Sequence, residues 1–517
     1  MAESTMNRAS ALRLDRSVIV IGAGTMGSGI AEVAAAAGHT VYLRDANDAS
    51  VERGIGMIRA SLDKRVQKGK LDAAERDAVL ARVIPASPNG AMPNVGLVIE
   101  VIYEDLEAKV AALAAIEPLL PPDAIIATNT SSLSVTALAG RLKRPERVVG
   151  MHFFNPATVL PLVEVVSGHA TAPDVAKTIT ATALAWGKVP VNCRSTPGFI
   201  VNRVARPFYG EALRLLQEQA VSPATLDAVM RESGGFRMGP CELMDLIGHD
   251  VNFAVTRSVY EAFFDDPRYK PSLVQKDLVD AGWLGRKSGR GFFDYREGAN
   301  PSKPAEAEAG SAPALARIEG ALGAAQGLAD LLATRGGMRV EHVPGDGLLR
   351  IDGLVLALTD GRTATERAAL LGEPVVLFDL ALDYATCTRI AIAPAAQCSA
   401  NDVALAAGFF AALGKRVSLL ADVPGMLVMR TVAMLVNEGC DAVYQGIASA
   451  DSVDAAMRKG VNYPVGPMEW GRRIGYATVL DVLRFIGATY NEDRYRASVW
   501  LQREVHLAAS NAHESKA

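Results

Sequence analysis

Two stretches of this chain, 227 residues apart, read as copies of each other. Pro197-Gly198-Phe199-Ile200-Val201-Asn202-Arg203 is answered by Pro424-Gly425-Met426-Leu427-Val428-Met429-Arg430 (424 − 197 = 227). The register continues: Gly239-Pro240-Cys241-Glu242 falls on Gly466-Pro467-Met468-Glu469 (466 − 239 = 227), and Gly187-Lys188-Val189 falls on Gly414-Lys415-Arg416. A duplication limits the fold severely, because whatever supersecondary unit the first copy builds, the second must build too. Both copies lack strand-like runs and read as helical. They differ at one chemically telling place: Asn202 is polar where Met429 is an apolar filler. That contrast suggests one working copy and one structural copy.

Outside the copies the pattern alternates. Ser17-Val18-Ile19-Val20-Ile21-Gly22 is a short β-branched run ending in glycine, as a buried parallel strand reads. An Ala-rich helical segment follows, from Ile30 to Ala37, then a strand at Val41–Leu43 ending at Asp45. Further strands are predicted at Leu97–Val101, Ala124–Ala127 and Val148–Met151. Strand–helix alternation of this kind predicts a parallel, doubly wound sheet over residues 15–195. A helical domain then fills 196–296. The segment 297–313, rich in Pro, Ala, Gly and Glu, reads as a linker. Strand-like runs at Gly353–Leu358, Val375–Asp379 and Arg389–Ile392 place a second, smaller α/β domain at 314–420, without a glycine loop, and the second helical domain occupies 421–510.

Composition narrows the setting. A net charge of −4 gives no basic field for nucleic acid, and the apolar runs are too short to span a membrane. The first sixteen residues hold Arg8, Arg13, Arg16, Glu3 and Asp15 and no apolar core, so no secretory signal is expected. Cysteines at 193, 241, 387, 398 and 440 are odd in number and show no metal-ligand spacing. A reducing, cytoplasmic setting without a metal is the expectation.

Gly22-Ala23-Gly24-Thr25-Met26-Gly27 fits the dinucleotide fingerprint, directly after a strand and opening a helix. Gly22 permits the tight turn, Gly24 lets the pyrophosphate approach the backbone, and Gly27 allows close helix–strand packing. The helix end then offers free N–H groups, here from Thr25 and Met26, to the phosphates. Asp45, ending the second strand, can bond the ribose hydroxyls and repel a 2′-phosphate, favouring NAD over NADP; Arg44 beside it narrows that margin, and FAD is the alternative cofactor. His152-Phe153-Phe154-Asn155-Pro156 ends another strand, and Glu164 lies in the next β-like run. A short connection would let the carboxylate meet the imidazole and prepare it to accept a proton from a hydroxyl. Asn129-Thr130-Ser131-Ser132 supplies hydroxyls and an amide after a strand of the same domain, as oxygen-holding groups or as a helix cap.

These segments, with Gly285-Arg286-Lys287-Ser288-Gly289-Arg290-Gly291-Phe292-Phe293 and the Pro197–Arg203 stretch, together resemble the L-3-hydroxyacyl-CoA dehydrogenase family, in that family's order over residues 17–295. The resemblance implies a Rossmann-type NAD-binding domain, an all-α C-terminal domain, a reduced Rossmann-like domain and a second all-α domain. It implies NAD-dependent oxidation of a (3S)-3-hydroxyacyl-CoA to the 3-oxoacyl-CoA. Residue by residue, His152 would be the general base, Glu164 its orienting partner, and Ser131 and Asn202 would hold substrate oxygens. Glu104, Lys109, Ser131, Asn155 and Lys287 would lie on the cofactor side, and Ser61 and Lys68 would contact coenzyme A. The whole architecture resembles the branch of the family that serves bacterial phenylacetate catabolism, implying 3-hydroxyadipyl-CoA as substrate, with a short-chain 3-hydroxybutyryl-CoA enzyme as the alternative. Free hydroxyacid dehydrogenases on the same fold and a non-enzymatic structural relative are the competing classes. The fused second half is expected to act as an internal pseudo-dimer partner, with further pairing of whole chains left open.

Overall fold

The computed structural model describes residues 11–86, 92–335 and 337–514; residues 1–10, part of the stretch read for a secretory signal, lie outside them. The chain forms two compact units. One holds the described residues as far as Arg203 together with Gly446–Val461, and the other holds Val204–Gln445 and the residues from Asn462 onward.

The first unit is built on an eight-stranded sheet of β1 (Ser17–Ile21), β2 (Val41–Arg44), β3 (Val83–Pro85), β4 (Val95–Glu100), β5 (Ile125–Thr128), β6 (Val148–Phe153), β7 (Leu162–Ser167) and β8 (Val189–Arg194), in the order β3-β2-β1-β4-β5-β6-β7-β8. Strands β1, β4 and β6 are buried at every position, which is why they read as unbroken apolar runs. The sheet is parallel from β3 through β6, as expected for a doubly wound fold. It departs from that pattern at β7, which runs antiparallel to β6. Only residues 154–161 join the two, too few for the dozen or so that a parallel crossover requires. The chain must turn back, and His152 is thereby placed directly opposite Glu164.

The second unit carries a seven-stranded mixed sheet of β9 (Leu315–Glu319), β10 (Arg339–Val343), β11 (Leu348–Ile351), β12 (Leu354–Leu358), β13 (Val375–Phe378), β14 (Arg389–Pro394) and β15 (Arg416–Leu419), ordered β10-β9-β11-β12-β13-β14-β15. Ile318, Leu349, Phe378, Phe409 and Phe410 lie at its core. The segment read as a linker has no helix or strand, yet it is fastened: Ala307 N–H donates to Val417 O and Gly310 N–H to Ala404 O.

The repeat reaches further than its sequence signal. Helices Pro240–Ile247 and Pro467–Ile474 keep the 227-residue offset at both ends (467 − 240 = 227; 474 − 247 = 227), and β6, β7 and β8 begin 227 residues before β13, β14 and β15 (375 − 148, 389 − 162, 416 − 189). Duplication therefore includes one edge of each sheet. One break is local. The continuous helix Val428–Tyr444 corresponds to two pieces, Val201–Val204 and Arg206–Gln217, in the first copy. Pro207 has no N–H to donate and crowds the preceding turn, whereas Met434 stands at its counterpart.

Each unit also contains a helix from the other copy's stretch of chain. In the first unit, helix Ala450–Gly460 packs on β7 and β8, burying Val453, Ala456 and Met457. In the second, its counterpart Pro223–Glu232 packs on β14. Among the described residues no helix is long and apolar enough to cross a membrane, and all five cysteines are free.

Candidate functional site

The glycine loop sits at the C-terminal end of β1, where a doubly wound sheet offers its binding crevice. Gly22 has φ +112°, and a Cβ there would lie 2.6 Å from Val101 O; a Cβ on Gly27 would collide with Gly22 O. Gly24 has open space instead, and it caps the helix Thr25–Ala36 with no side-chain hydrogen bond. The loop is thus closed on its inner side and open where a pyrophosphate would lie, so the residues present fit a dinucleotide. Asp45 accepts the Ala23 N–H at 2.6 Å through Oδ2. Its carboxylate ties the loop to the second strand and retains lone pairs for a ribose.

At the tip of β4, Glu100 is fully buried and takes Lys109 Nζ at 2.8 Å, Thr128 Oγ1 at 2.6 Å and the Ile102 N–H at 2.6 Å. Lys109, also buried, lies 3.3 Å from Glu104. Glu104 in turn gathers the loop after β5: its Oε1 accepts from Thr130 Oγ1 at 2.7 Å, Ser131 N–H at 2.8 Å and Ser132 N–H at 3.0 Å. Burial would raise the Glu104 carboxyl, but the Thr130 hydroxyl, the Lys109 charge and the serine donors hold it below its ordinary value. Lys109 is therefore committed beneath the loop and does not present a free ammonium. Sequence reasoning named Glu104 and Lys109 but missed Glu100. Its signal was available, since a carboxylate ending a wholly apolar strand must find buried donors.

His152 Nδ1 lies 2.7 Å from Glu164 Oε2, and both side chains are buried. Glu164 Oε1 accepts two further hydrogen bonds, from Ile200 N–H at 3.0 Å and Val201 N–H at 2.9 Å. One carboxylate thus orients the imidazole and also caps the helix that begins at Val201 and carries Asn202. Asn202 Nδ2 donates to Ser131 O at 3.4 Å, bringing the third and fourth predicted residues together; both are half-buried. Phe154 and Phe199 flank the imidazole, with ring centroids 4.5 Å and 5.8 Å away. Asn129 Oδ1 accepts the Phe153 N–H at 2.8 Å, fixing the serine loop to the strand end that bears His152. Lys188 Nζ donates to the carbonyls of Ala157 and Leu160, fastening the connection between the two dyad strands. With Nδ1 held by a carboxylate, Nε2 is the nitrogen left to exchange a proton.

The remaining candidates are more dispersed. Asn155 is exposed on the β6–β7 connection. Ser61 and the exposed Lys68 lie two turns apart at the end of helix Asp48–Gln67, where Lys68 is the C-cap. Burial raises the Glu32 carboxyl above its ordinary value, with the Ser61 hydroxyl and Arg65 opposing it. Lys287 belongs to the second unit and pairs there with Asp250. The Gly285–Phe293 stretch ends in a latch: buried Asp245 accepts the N–H groups of Phe292 and Phe293 at 2.9 Å each and the Tyr295 hydroxyl at 3.0 Å.

In the second unit the dyad's place is altered. Asp379 stands where the repeat would put His152 (152 + 227 = 379), and Ala391 where it would put Glu164 (164 + 227 = 391). Asp379 is fully buried and accepts N–H groups from Leu380, Leu427, Val428 and Met429 at 2.7–3.0 Å. Burial pushes its carboxyl up to about 6 against those donors. The shared task of both carboxylates is to cap the duplicated helix, while imidazole and amide occur in the first unit alone of these two matched sites. Met429 is wholly buried, an apolar filler as its sequence suggested.

Comparison with known proteins identifies the domains in which these residues lie. A family model described as 3-hydroxyacyl-CoA dehydrogenase, NAD binding domain, matches residues 17–196, and the C-terminal domain model of that enzyme matches 198–295 and again 425–515. A 3-hydroxybutyryl-CoA dehydrogenase reduced Rossmann-fold domain matches 356–424. The chain is 46% identical to the 3-hydroxyadipyl-CoA dehydrogenase of Escherichia coli K12 over 95% of its own length and 98% of that protein. It is 38% identical to a probable 3-hydroxybutyryl-CoA dehydrogenase of Bacillus subtilis, which spans 54% of this chain and is itself covered to 98%. A crystal structure titled 3-hydroxybutyryl-CoA dehydrogenase from E. coli K12 superposes with a TM-score of 0.88 at 44% identity, covering 97% of this chain and 100% of that one.

Proposed function

The chain belongs to the 3-hydroxyacyl-CoA dehydrogenase family, and on that premise we propose that it oxidises 3-hydroxyadipyl-CoA to 3-oxoadipyl-CoA, with the His152–Glu164 pair as proton acceptor. NAD-dependent oxidation of a 3-hydroxyacyl-CoA is its reaction class. The observation that carries the residue assignment is the 2.7 Å contact between His152 Nδ1 and a Glu164 carboxylate pinned by two backbone donors.

Bound NAD+ supplies the hydride acceptor. Everything else falls to the chain. Glu164 accepts a hydrogen bond from Nδ1–H, so Nε2 presents its lone pair to the substrate 3-hydroxyl and takes that proton as C3 is oxidised. Glu164 then stabilises the imidazolium that forms. The Ser131 hydroxyl and Asn202 amide hold the substrate oxygens, and Phe154 and Phe199 keep water from the imidazole. On the cofactor side we place the glycine loop, Asp45, Glu104, Asn155 and Lys287, with Lys109 acting through Glu104. Ser61 and Lys68 are assigned to coenzyme A, Lys68 as a cation for its phosphates. The second half, with Asp379 and Met429 at the matched positions, takes no part in hydride transfer. A cytoplasmic setting suits these soluble CoA substrates.

Support for the adipyl chain comes from similarity over nearly the full length, where the 3-hydroxybutyryl-CoA relative of B. subtilis spans about half. The similar E. coli structure bears the butyryl name, which keeps that substrate as the second reading. Steady-state NADH formation on both thioesters decides between them. A higher kcat/KM on 3-hydroxyadipyl-CoA is expected, and a preference for the butyryl substrate would overturn the chain-length assignment while leaving the chemistry intact. At the cofactor, Asp45→Ala is expected to raise KM for NAD+ by about tenfold or more, as loss of a charged hydrogen bond predicts. An unchanged KM would remove Asp45 from the ribose.

A further inference from the structure

We infer that Gly460, on a helix of the second helical copy, is a positioning residue for the dyad of the first unit. Helix Ala450–Gly460 lies on β7 and β8, and Arg194 N–H at the end of β8 donates to Ile447 O at 2.9 Å just before that helix. Its last residue leaves no room for a side chain. A Cβ on Gly460 would fall 2.5 Å from Leu162 Cδ2 and 3.2 Å from Val201 Cγ2. Those two neighbours are the supports of Glu164. Leu162 precedes it by two positions on β7, so both side chains project from one face. Val201 donates its N–H to Glu164 Oε1 and is followed by Asn202. Leu162 is fully buried and Val201 nearly so. Pressure at Gly460 therefore reaches the carboxylate along its strand and the amide along its helix.

The matched position in the second unit shows that the fold itself does not require glycine there. Ser233 is its counterpart (233 + 227 = 460), facing Arg389 in place of Leu162 (162 + 227 = 389). Ser233 donates its hydroxyl to Arg389 O, and the Arg389 side chain extends away to Glu232 and Glu306, each at 3.1 Å. A Cβ and a hydroxyl fit between the same helix and strand where no dyad has to be held. Of the two matched contacts, the one under the His152–Glu164 pair is the one closed down to backbone.

This inference rests on the roles given above to Glu164 and Asn202. The test is Gly460→Val in the full chain, with kcat and both KM values measured and folding checked by circular dichroism. A displacement of the supports approaching an ångström should lower kcat by roughly ten- to a hundredfold, with KM for NAD+ within twofold, because the glycine loop is untouched. Gly460→Ala, whose methyl meets chiefly the movable tip of Leu162, should recover most of that loss. Leu162→Ala should lower kcat by itself, and adding Gly460→Val to it should raise kcat again by refilling the space. That reciprocal pair remains readable if Gly460→Val alone does not fold. A folded Gly460→Val enzyme with kcat within twofold of wild type, or no rise in the double variant, would overturn the inference. His152→Gln and Asn202→Ala are measured alongside: if they too are silent, the dyad assignment has failed, and if they are inactive, only the role of Gly460 has.

Discussion

His152→Gln is expected to lower kcat on 3-hydroxyacyl-CoA by roughly 10²–10⁴, the usual cost of losing a general base. Glutamine keeps approximate size and a donor for Glu164, so the strand pair and the Phe154 and Phe199 packing should survive, but an amide cannot take up the hydroxyl proton. KM for NAD+ should stay near wild type because the glycine loop belongs to other strands of the sheet. Glu164→Gln is expected to fall in the same range for a different reason. Its amide NH2 would face Nδ1 and favour the tautomer with the proton on Nε2, blocking the base, while the amide oxygen could still cap Ile200 and Val201. Steady-state NADH formation, with thermal melts to show intact folding, checks both. Retention of kcat within a few-fold in His152→Gln would remove that residue from the chemistry.

The largest effect on stability is expected at Glu211. This buried carboxylate lies between two arginines, with Arg430 Nε at 2.8 Å on one oxygen and Arg494 Nε at 2.9 Å on the other, and the Tyr495 hydroxyl donates at 3.0 Å. It joins helix Arg206–Gln217 of the first copy to helix Val428–Tyr444 of the second within one unit. Glu211→Ala takes the shared carboxylate from two buried arginines, leaving Arg430 with Glu218, and should cost about 3–5 kcal/mol. Tm should fall by roughly 6–20 °C at about 2–4 °C per kcal/mol for a domain of this size. The pH dependence has a definite sign. Burial would raise the Glu211 carboxyl, but Arg494 and Arg430 outweigh it and hold the group at about 2, below its ordinary 4.5. Between those values the unfolded chain binds the extra proton, so the stabilisation is complete above pH 4.5 and is lost as pH falls toward 2. The shift corresponds to something on the order of 3 kcal/mol. Denaturant midpoints on either side of pH 4.5 should therefore diverge less in Glu211→Ala than in wild type; equal divergence would show that other carboxylates govern the acid limb.

Much of this was legible in the sequence, for identifiable reasons. Strands β1, β4, β5 and β6 announced themselves because they are buried on both faces, whereas the partly exposed β3 and β8 offer no such run; the glycine loop stood out because turn, approach and packing each demand a missing side chain. His152 and Glu164 stand out as a pair because two β-like runs joined by a short connection can meet, although the antiparallel turn that does it is seen only in the structure. The second sheet was harder. Leu354–Leu358 was legible within the run Gly353–Leu358, but Arg339-Val340-Glu341-His342-Val343 alternates at an exposed edge and Leu348–Ile351 is four residues long with Arg350 inside it, so neither of those offers a long apolar run. Asp379 was passed over although the offset points to it, because little but position is kept between the matched strands. The resemblance places Lys109 on the cofactor side, but its pairing with Glu100 and Glu104 beneath the loop is visible only in the structure. The helix exchange lay beyond reach, since both helices bury similar apolar faces and periodicity does not say against what.

That exchange has a consequence for how the protein is made. The catalytic unit is discontinuous: its first part ends at Arg203, and its last helix arrives with Gly446–Val461. On the ribosome, the amino-terminal sheet emerges with the surface of β7 and β8 that helix Ala450–Gly460 covers still open. It must wait while the 242 intervening residues (445 − 203) are synthesised, about 12–50 s at bacterial to eukaryotic elongation rates. During that interval an apolar strand surface next to His152 and Glu164 is exposed, and a cut anywhere between Arg203 and Gly446 divides the unit from its last helix. Selection on this polypeptide therefore acts on the protection of a nascent surface as well as on the chemistry of the completed fold.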